Sequence, residues 1–154
     1  VGFEPMDCEE CAVPEWVAGQ FASAPESAAT AGGEAGYLIL RWADDADLRS
    51  LPVPGAELKK VSARAVIATC ADTEHAGLDI RQRYFAPQHG VAEDSATGSA
   101  MRVLASFWQR HASMDQLRAW QCSPASGHLF SRMEAGLTWV GGRVQAEAND
   151  VVNG

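Results

Sequence analysis

Residues 93–100 read Glu-Asp-Ser-Ala-Thr-Gly-Ser-Ala. Two carboxylates stand directly before a run of small and hydroxyl side chains, and an apolar-periodic stretch follows. The first four backbone N–H groups of a helix have no partner inside the helix. With Thr97 or Asp94 in the N-cap region and Ser99 in the first turn, those groups would seat a carboxylate or another small anion. The helix dipole, about half a positive charge at that end, favours the same occupant. Gly98 lets a ligand approach the backbone because it carries no Cβ, and Ser99 adds a hydroxyl donor. Glu93 and Asp94 would repel an anion but suit proton transfer, since partial burial and a neighbouring carboxylate both raise a carboxyl pKa toward the range useful for acid–base work. Asp and Thr are also good caps, and acids near a helix N-terminus are stabilising by roughly 0.3–1 kcal/mol each. On residue type alone the two readings stand side by side. His89, in Pro-Gln-His-Gly, lies close enough in sequence to reach the same loop.

The remaining candidates are weaker. Cys8-Glu9-Glu10-Cys11 has the spacing of half a zinc site or of a redox motif, but no second pair has that spacing. The two acids between the thiols also work against a low thiol pKa. An exposed terminal segment with incidental thiols is the expectation there. No two His residues have metal-ligand spacing, and neither a phosphate-binding loop nor a G-x-S-x-G elbow occurs. No metal and no cofactor are expected. Twenty acidic residues against twelve basic ones, a formal net charge of −8, argue against a nucleic-acid partner, which needs a positive surface. No apolar run approaches the roughly eighteen residues that span a bilayer, and the start does not look like a secretion signal. A reducing, cytoplasmic setting is expected.

The elements that must hold this site follow from periodicity. Pro14 opens a short helix over 14–22, with Trp16, Val17 and Phe21 inward. Residues 1–13 read as an extended lead-in and 23–36 as a flexible connector. Residues 36–42 form a central strand, 44–51 a helical turn or two capped by Asp44 or Asp45, and 64–71 and 78–86 two strands joined by a hairpin-type turn. Ala100, Val103, Leu104, Phe107 and Trp108 then fall at helical spacing over a stretch whose polar side is thin, only Arg102, Ser106, Gln109 and Arg110. Such a helix is wrapped by sheet rather than laid on a surface. After a helical turn at 113–119 come short strands, with Ala135-Gly136 and Gly141-Gly142 marking turns between them. The order is β-rich, one buried helix, β-rich. The predicted class is therefore α+β: a single domain with a barrel-like, mostly antiparallel sheet around one central helix.

The run Arg-Tyr-Phe-Ala-Pro-Gln-His-Gly-Val-Ala-Glu-Asp-Ser-Ala-Thr-Gly-Ser-Ala (83–100), the apolar helix after it, Gln121 on the next strand and Val140-Gly141-Gly142 together resemble the PhzF-like (phenazine biosynthesis) isomerases, which share the diaminopimelate epimerase fold. The resemblance implies two similar domains, each a sheet wrapped around a helix, with the active site in the cleft between them. By position, Asp94 matches the acid that helps hold or protonate substrate. Thr97, Gly98 and Ser99 match the helix mouth that holds a substrate carboxylate. The implied chemistry is cofactor-free proton transfer on a small carboxylic acid. The chain departs from the pattern at Ser95, where proline is usual, and at 123–128, where a stretch of the Arg-Gly-Gly type is replaced by Ser-Pro-Ala-Ser-Gly-His. It begins at Val1, and all of residues 1–154 resemble a second domain only. The resemblance implies a first domain carrying the main catalytic Glu, and these residues are expected to hold no counterpart of it. Three expectations follow: an enzyme half completed by a partner first-domain chain or, as a homodimer, by a second copy; a non-catalytic carboxylate-binding module; or a truncated remnant.

Overall fold

The structure is a computed structural model that describes residues 1–94 and 98–143, the side chains of Val91 and Asp94 excepted. Its core is one long helix enclosed by one curled sheet. In chain order the elements are β1 (Gly2–Phe3), β2 (Cys8–Cys11), α1 (Val17–Phe21), β3 (Ser27–Ala31), β4 (Tyr37–Arg41), a 3-10 turn (Leu48–Ser50), α2 (Leu58–Val61), β5 (Ala65–Ala71), β6 (Ile80–Ala86), a second 3-10 turn (Pro87–His89), β7 (Val91–Asp94), α3 (Gly98–Ala112), β8 (Gln116–Gln121), β9 (Gly127–Glu134) and β10 (Leu137–Arg143).

The ten strands form one sheet in the order β1-β10-β9-β8-β6-β5-β4-β3-β2, with β7 also paired to β6. Only β4–β5 and β6–β8 are parallel. The two edges, β1 and β2, are consecutive in sequence. Residues 4–7 join them and reach no more than about 18 Å even fully extended. The sheet must therefore curl until its edges nearly meet. It curls around α3, whose thin polar side emerges at that seam: Arg102 donates to the Glu4 carbonyl and Arg110 to the Cys8 carbonyl.

Period-two alternation divides the strands between two cores. Ile39, Ile67, Ile80, Leu117, Ala119 and Leu129 face α3 and pack on Met101, Val103, Leu104, Phe107 and Trp108. Leu38, Leu40, Val66, Ala68, Cys70 and Phe85 face the other way. Val17 and Phe21 of α1, together with Trp42, Leu48, Leu51 and Leu58, cover them. The buried indole of Trp108 donates to Thr69 Oγ1 at 3.2 Å and lies under the Arg41 guanidinium at 4.8 Å, so its one polar group is satisfied.

Several expectations are corrected. The segment read as a flexible connector contains β3, a strand of small residues held on both sides, by β2 and by β4. The helical turn expected at 113–119 is absent. Residues from Gln116 form β8, whose alternation of exposed and buried side chains is that of a strand. Residues 44–51 form only a 3-10 turn without a side-chain cap; Asp45 instead accepts hydrogen bonds from the backbone and side chain of Thr73. Gly141 and Gly142 lie inside β10 opposite Phe130 and Leu129, while Ala135-Gly136 is the turn expected. Cys8 is buried rather than exposed.

Gly36 is the tightest position in this fold. A Cβ there would lie 2.0 Å from the Ala31 carbonyl oxygen and 2.6 Å from the Gly32 carbonyl carbon, both backbone atoms that cannot step aside. Gly36→Ala is therefore expected to destabilise the protein by about 1–3 kcal/mol or more. Urea unfolding checks this. A midpoint equal to that of the parent chain would show that the turn ahead of β4 has room to relax.

Candidate functional site at the entrance to the central helix

The site is set by a fork in the sheet. The free edge of β6 is shared: Ile80–Gln82 pair with β8, while Tyr84 and Ala86 pair with β7. The chain turns back after β6 through the Pro87–His89 turn, where Gly90 takes φ +81°. It then runs antiparallel as β7, with Asp94 opposite Tyr84, and four residues later enters α3 at Gly98.

The strongest interaction here is an ion pair. Arg83 Nε lies 2.6 Å from one Glu93 oxygen and Nη2 lies 2.7 Å from the other. Both side chains are almost wholly buried. Arg83 Nη1 also donates to the carbonyls of Leu48 and Leu51 at 2.8 and 2.7 Å. One guanidinium thus ties β6, β7 and the loop covering the second core together, using the planar fork that lysine lacks. Glu93 shares this pair's face of the sheet, the one turned away from α3. Removing one partner of a buried pair leaves an uncompensated charge and costs about 3–5 kcal/mol. Arg83→Met is expected to show a loss of that order in thermal and urea unfolding. Arg83→Met with Glu93→Leu should recover most of it. A double variant no more stable than the single one would mean that the carbonyl contacts, not the carboxylate, carry the effect.

At the helix mouth, Gly98 is half-buried and Ser99 is exposed. Among the described residues, a Cβ on Gly98 would meet only the Val140 side chain, at 3.8 Å. The packing therefore does not demand glycine there. His89 is exposed at the end of its 3-10 turn. The backbone of Asp94 is fixed by its pairing with Tyr84, its side chain is not described, and Thr97 lies outside the described residues. The structure thus brings Gly98 and Ser99 together at the start of a fifteen-residue helix and assigns Glu93 to Arg83. Beneath the fork, Gln82 and Gln121 are fully buried and in register, with Gln82 Nε2 3.4 Å from Gln121 Oε1. Sequence reasoning picked out Gln121 alone. Gln82 gave no local signal, because its importance comes from register with β8; Arg83 stood only as the first residue of the family-like run, and its partnership with Glu93 comes from register with β7.

Cys8 and Cys11 stand three apart on one strand and so point to opposite faces. The Cys8 thiol lies against the Val103 carbonyl, and burial, assisted by the Asp7 charge and opposed by Arg110, pushes its pKa up to about 11. That is the reverse of a reactive thiol.

A second charged cluster lies at the far end of β5 and β6. The Asp72 side chain is fully buried. It accepts from the Glu74 and His75 backbone, the His75 ring and Arg81 Nε, and Arg81 also reaches Glu74. Burial opposes ionisation of Asp72. The bonds from Arg81 and His75 outweigh it and hold the carboxyl well below the usual range. A carboxylate with a lowered folded pKa adds stability above its unfolded value, about 3.9, and loses it as pH falls toward the folded value. The stability gap between the parent chain and Asp72→Asn is therefore expected to be constant near neutrality and to shrink below about pH 4. Urea midpoints across that range check it; a gap independent of pH would assign the effect to hydrogen-bond geometry alone.

A sheet curled around one helix, with a helix mouth beside a fork in the sheet, defines the class: a single α+β domain whose mostly antiparallel sheet packs on one main helix. Solved structures share it. A phenazine biosynthesis protein of the PhzF family from Enterococcus faecalis superposes with a TM-score of 0.76 at 21% identity, covering 95% of this chain and 55% of that one. The family model described as phenazine biosynthesis-like protein matches residues 7–149, and the chain belongs to that family. The mouse phenazine biosynthesis-like domain-containing protein 1 is 39% identical over 103 residues, 60% of this chain and 35% of its own length. A Pseudomonas aeruginosa protein described as an uncharacterised isomerase is 35% identical over 97 residues, 63% of this chain and 36% of its own length. The chain thus spans about a third of the length of the curated relatives it matches.

Proposed function

We propose that this chain is an isomerase-type domain that seats the carboxylate of a small organic acid on the N-terminus of α3. Cofactor-free proton transfer then depends on a second domain or subunit that closes the other side of the cleft. The observation that carries the reading is the open helix mouth. Among the described residues, nothing but the Val140 side chain comes near a Cβ placed on Gly98, and Ser99 beside it is exposed. Free N–H groups and the dipole at the start of a long helix favour an anion there. In this reading Thr97, Gly98 and Ser99 bind the carboxylate. Asp94 exchanges the proton, with its pKa set by the neighbours that a closed cleft would bring. His89 is a supporting candidate from the opposite side of the same loop. Membership of a family that includes a relative described as an isomerase supports the reaction class.

A second reading, a carboxylate-binding module without turnover, rests on the same exposed Ser99 at the start of the same helix. Gly98→Ala separates site from scaffold. Stability should be unchanged or higher by up to about 1 kcal/mol, because alanine is the better helix former. Binding of small carboxylic acids, followed by calorimetry, should fall. Asp94→Asn should leave binding in place and abolish deuterium exchange at the carbon next to the carboxylate, followed by NMR. Exchange retained in Asp94→Asn would remove its catalytic role. Binding without exchange in the parent chain would select the binding module. Light scattering alongside decides whether a second copy completes the cleft.

A further inference from the structure

The face of the sheet opposite α3 is covered over β3–β6 by α1 and the 42–64 connection, but among the described residues no element covers it over β8–β10. An open groove of about 1150 Å³ runs across it. Its outward residues are Arg118 on β8, His128, Phe130 and Arg132 on β9, and Trp139 and Arg143 on β10. Phe130 is 52% exposed and Trp139 40%, the two most exposed large aromatics among the described residues. Each ring lies on a glycine. A Cβ on Gly2 would be 3.2 Å from the Trp139 ring, and one on Gly141 would be 2.3 Å from Phe130. The rings are thus held flat against backbone with their outer faces in water.

The charge of this region differs from that of the rest. Residues 116–143 hold three arginines, no lysine, no aspartate and one glutamate, in a chain of net charge −8. Arg118 pairs with Asp79 and Arg132 with Glu134, and Arg143 has no ion pair among the described residues. Exposed Trp, Phe and Arg without Lys is the composition of a protein–protein interface core, and Trp and Arg are the side chains that dominate binding energy there. A groove this open would leave a small ligand largely in water, whereas small-molecule sites bury most of theirs. A symmetric contact between two copies would set arginine against arginine. A bilayer would extend past the patch and meet the acidic remainder.

We infer that the outer face of β8–β10 docks an acidic protein segment, with carboxylates on Arg132 and Arg143 and an apolar anchor between Phe130 and Trp139. The site lies on the opposite side of the sheet from α3 and is independent of the carboxylate site there.

The probe is a short extended peptide alternating glutamate with leucine and phenylalanine. Its lysine counterpart and phosphatidylserine vesicles serve as comparisons. Trp139 fluorescence and two-dimensional NMR of the intact chain read the contact. The glutamate peptide is expected to bind, to weaken as salt is raised because the charges are screened, and to shift resonances of β8–β10. Arg143→Glu, which breaks no ion pair among the described residues, should weaken it by about tenfold, and Trp139→Ala should do the same, with the thermal melt of both variants checked in parallel. Four results would each overturn the inference: no binding of the glutamate peptide, equal binding of the lysine peptide, preferential binding of vesicles, or a dimer in light scattering that Phe130→Asp dissolves.

Discussion

Burying α3 on nearly all sides is the constraint from which the architecture follows. A helix on a flat sheet needs one apolar stripe. Here Ala100, Met101, Val103, Leu104, Ala105, Phe107 and Trp108 are all below the surface, more than one stripe holds. The sheet must supply apolar atoms from several directions, and only a curled sheet does so. Curling brings β1 and β2 toward each other, and the short link between them makes that closure compulsory. The few polar side chains of α3 then have one place to go, the seam, where Arg102 and Arg110 reach backbone carbonyls.

The same enclosure creates the candidate site. A helix threaded into a sheet leaves its ends as the openings, and its N-terminal end carries free N–H groups that water or a ligand must satisfy. Where that end sits depends on the fork in β6, and the fork depends on β7 staying paired. The buried Arg83–Glu93 pair supplies that restraint. Such a pair contributes little net stability compared with an apolar replacement, but it tolerates no loss of either partner. It therefore acts more as a geometric pin than as a source of cohesion. The pin fixes the strand just before the helix mouth while leaving Gly98 and Ser99 open.

The candidate site was legible as a run of residue types, Asp94 through Ser99, because caps, glycine and hydroxyls before an apolar stripe have local causes. The run also resembles a family pattern, and the family membership bears that resemblance out. The role of Glu93 was not legible. In sequence it is the neighbour of Asp94; in the fold it is the partner of Arg83, ten residues back, because β7 reverses onto β6. β3 was missed because Ser-Ala-Ala-Thr-Ala has weak strand preference, and pairing on both sides makes it a strand. The start of β8 was missed for the opposite reason: its first residues suit a helix, and docking between β6 and β9 overrides that preference, while the strand expected to carry Gln121 is present.

The sequence by itself determined the α+β class, the buried helix, and the strands of β4, β5, β6, β9 and most of β10. These are consequences of local periodicity and of steric preference within a few residues, which need no knowledge of neighbours. Only the tertiary structure decided which strands share an edge, that the sheet curls until its edges nearly meet, that Arg83 claims Glu93 and that, among the described residues, one face of β8–β10 is left uncovered. Those outcomes arise from pairing between segments tens of residues apart. There, register and burial choose among partners that local sequence leaves equivalent.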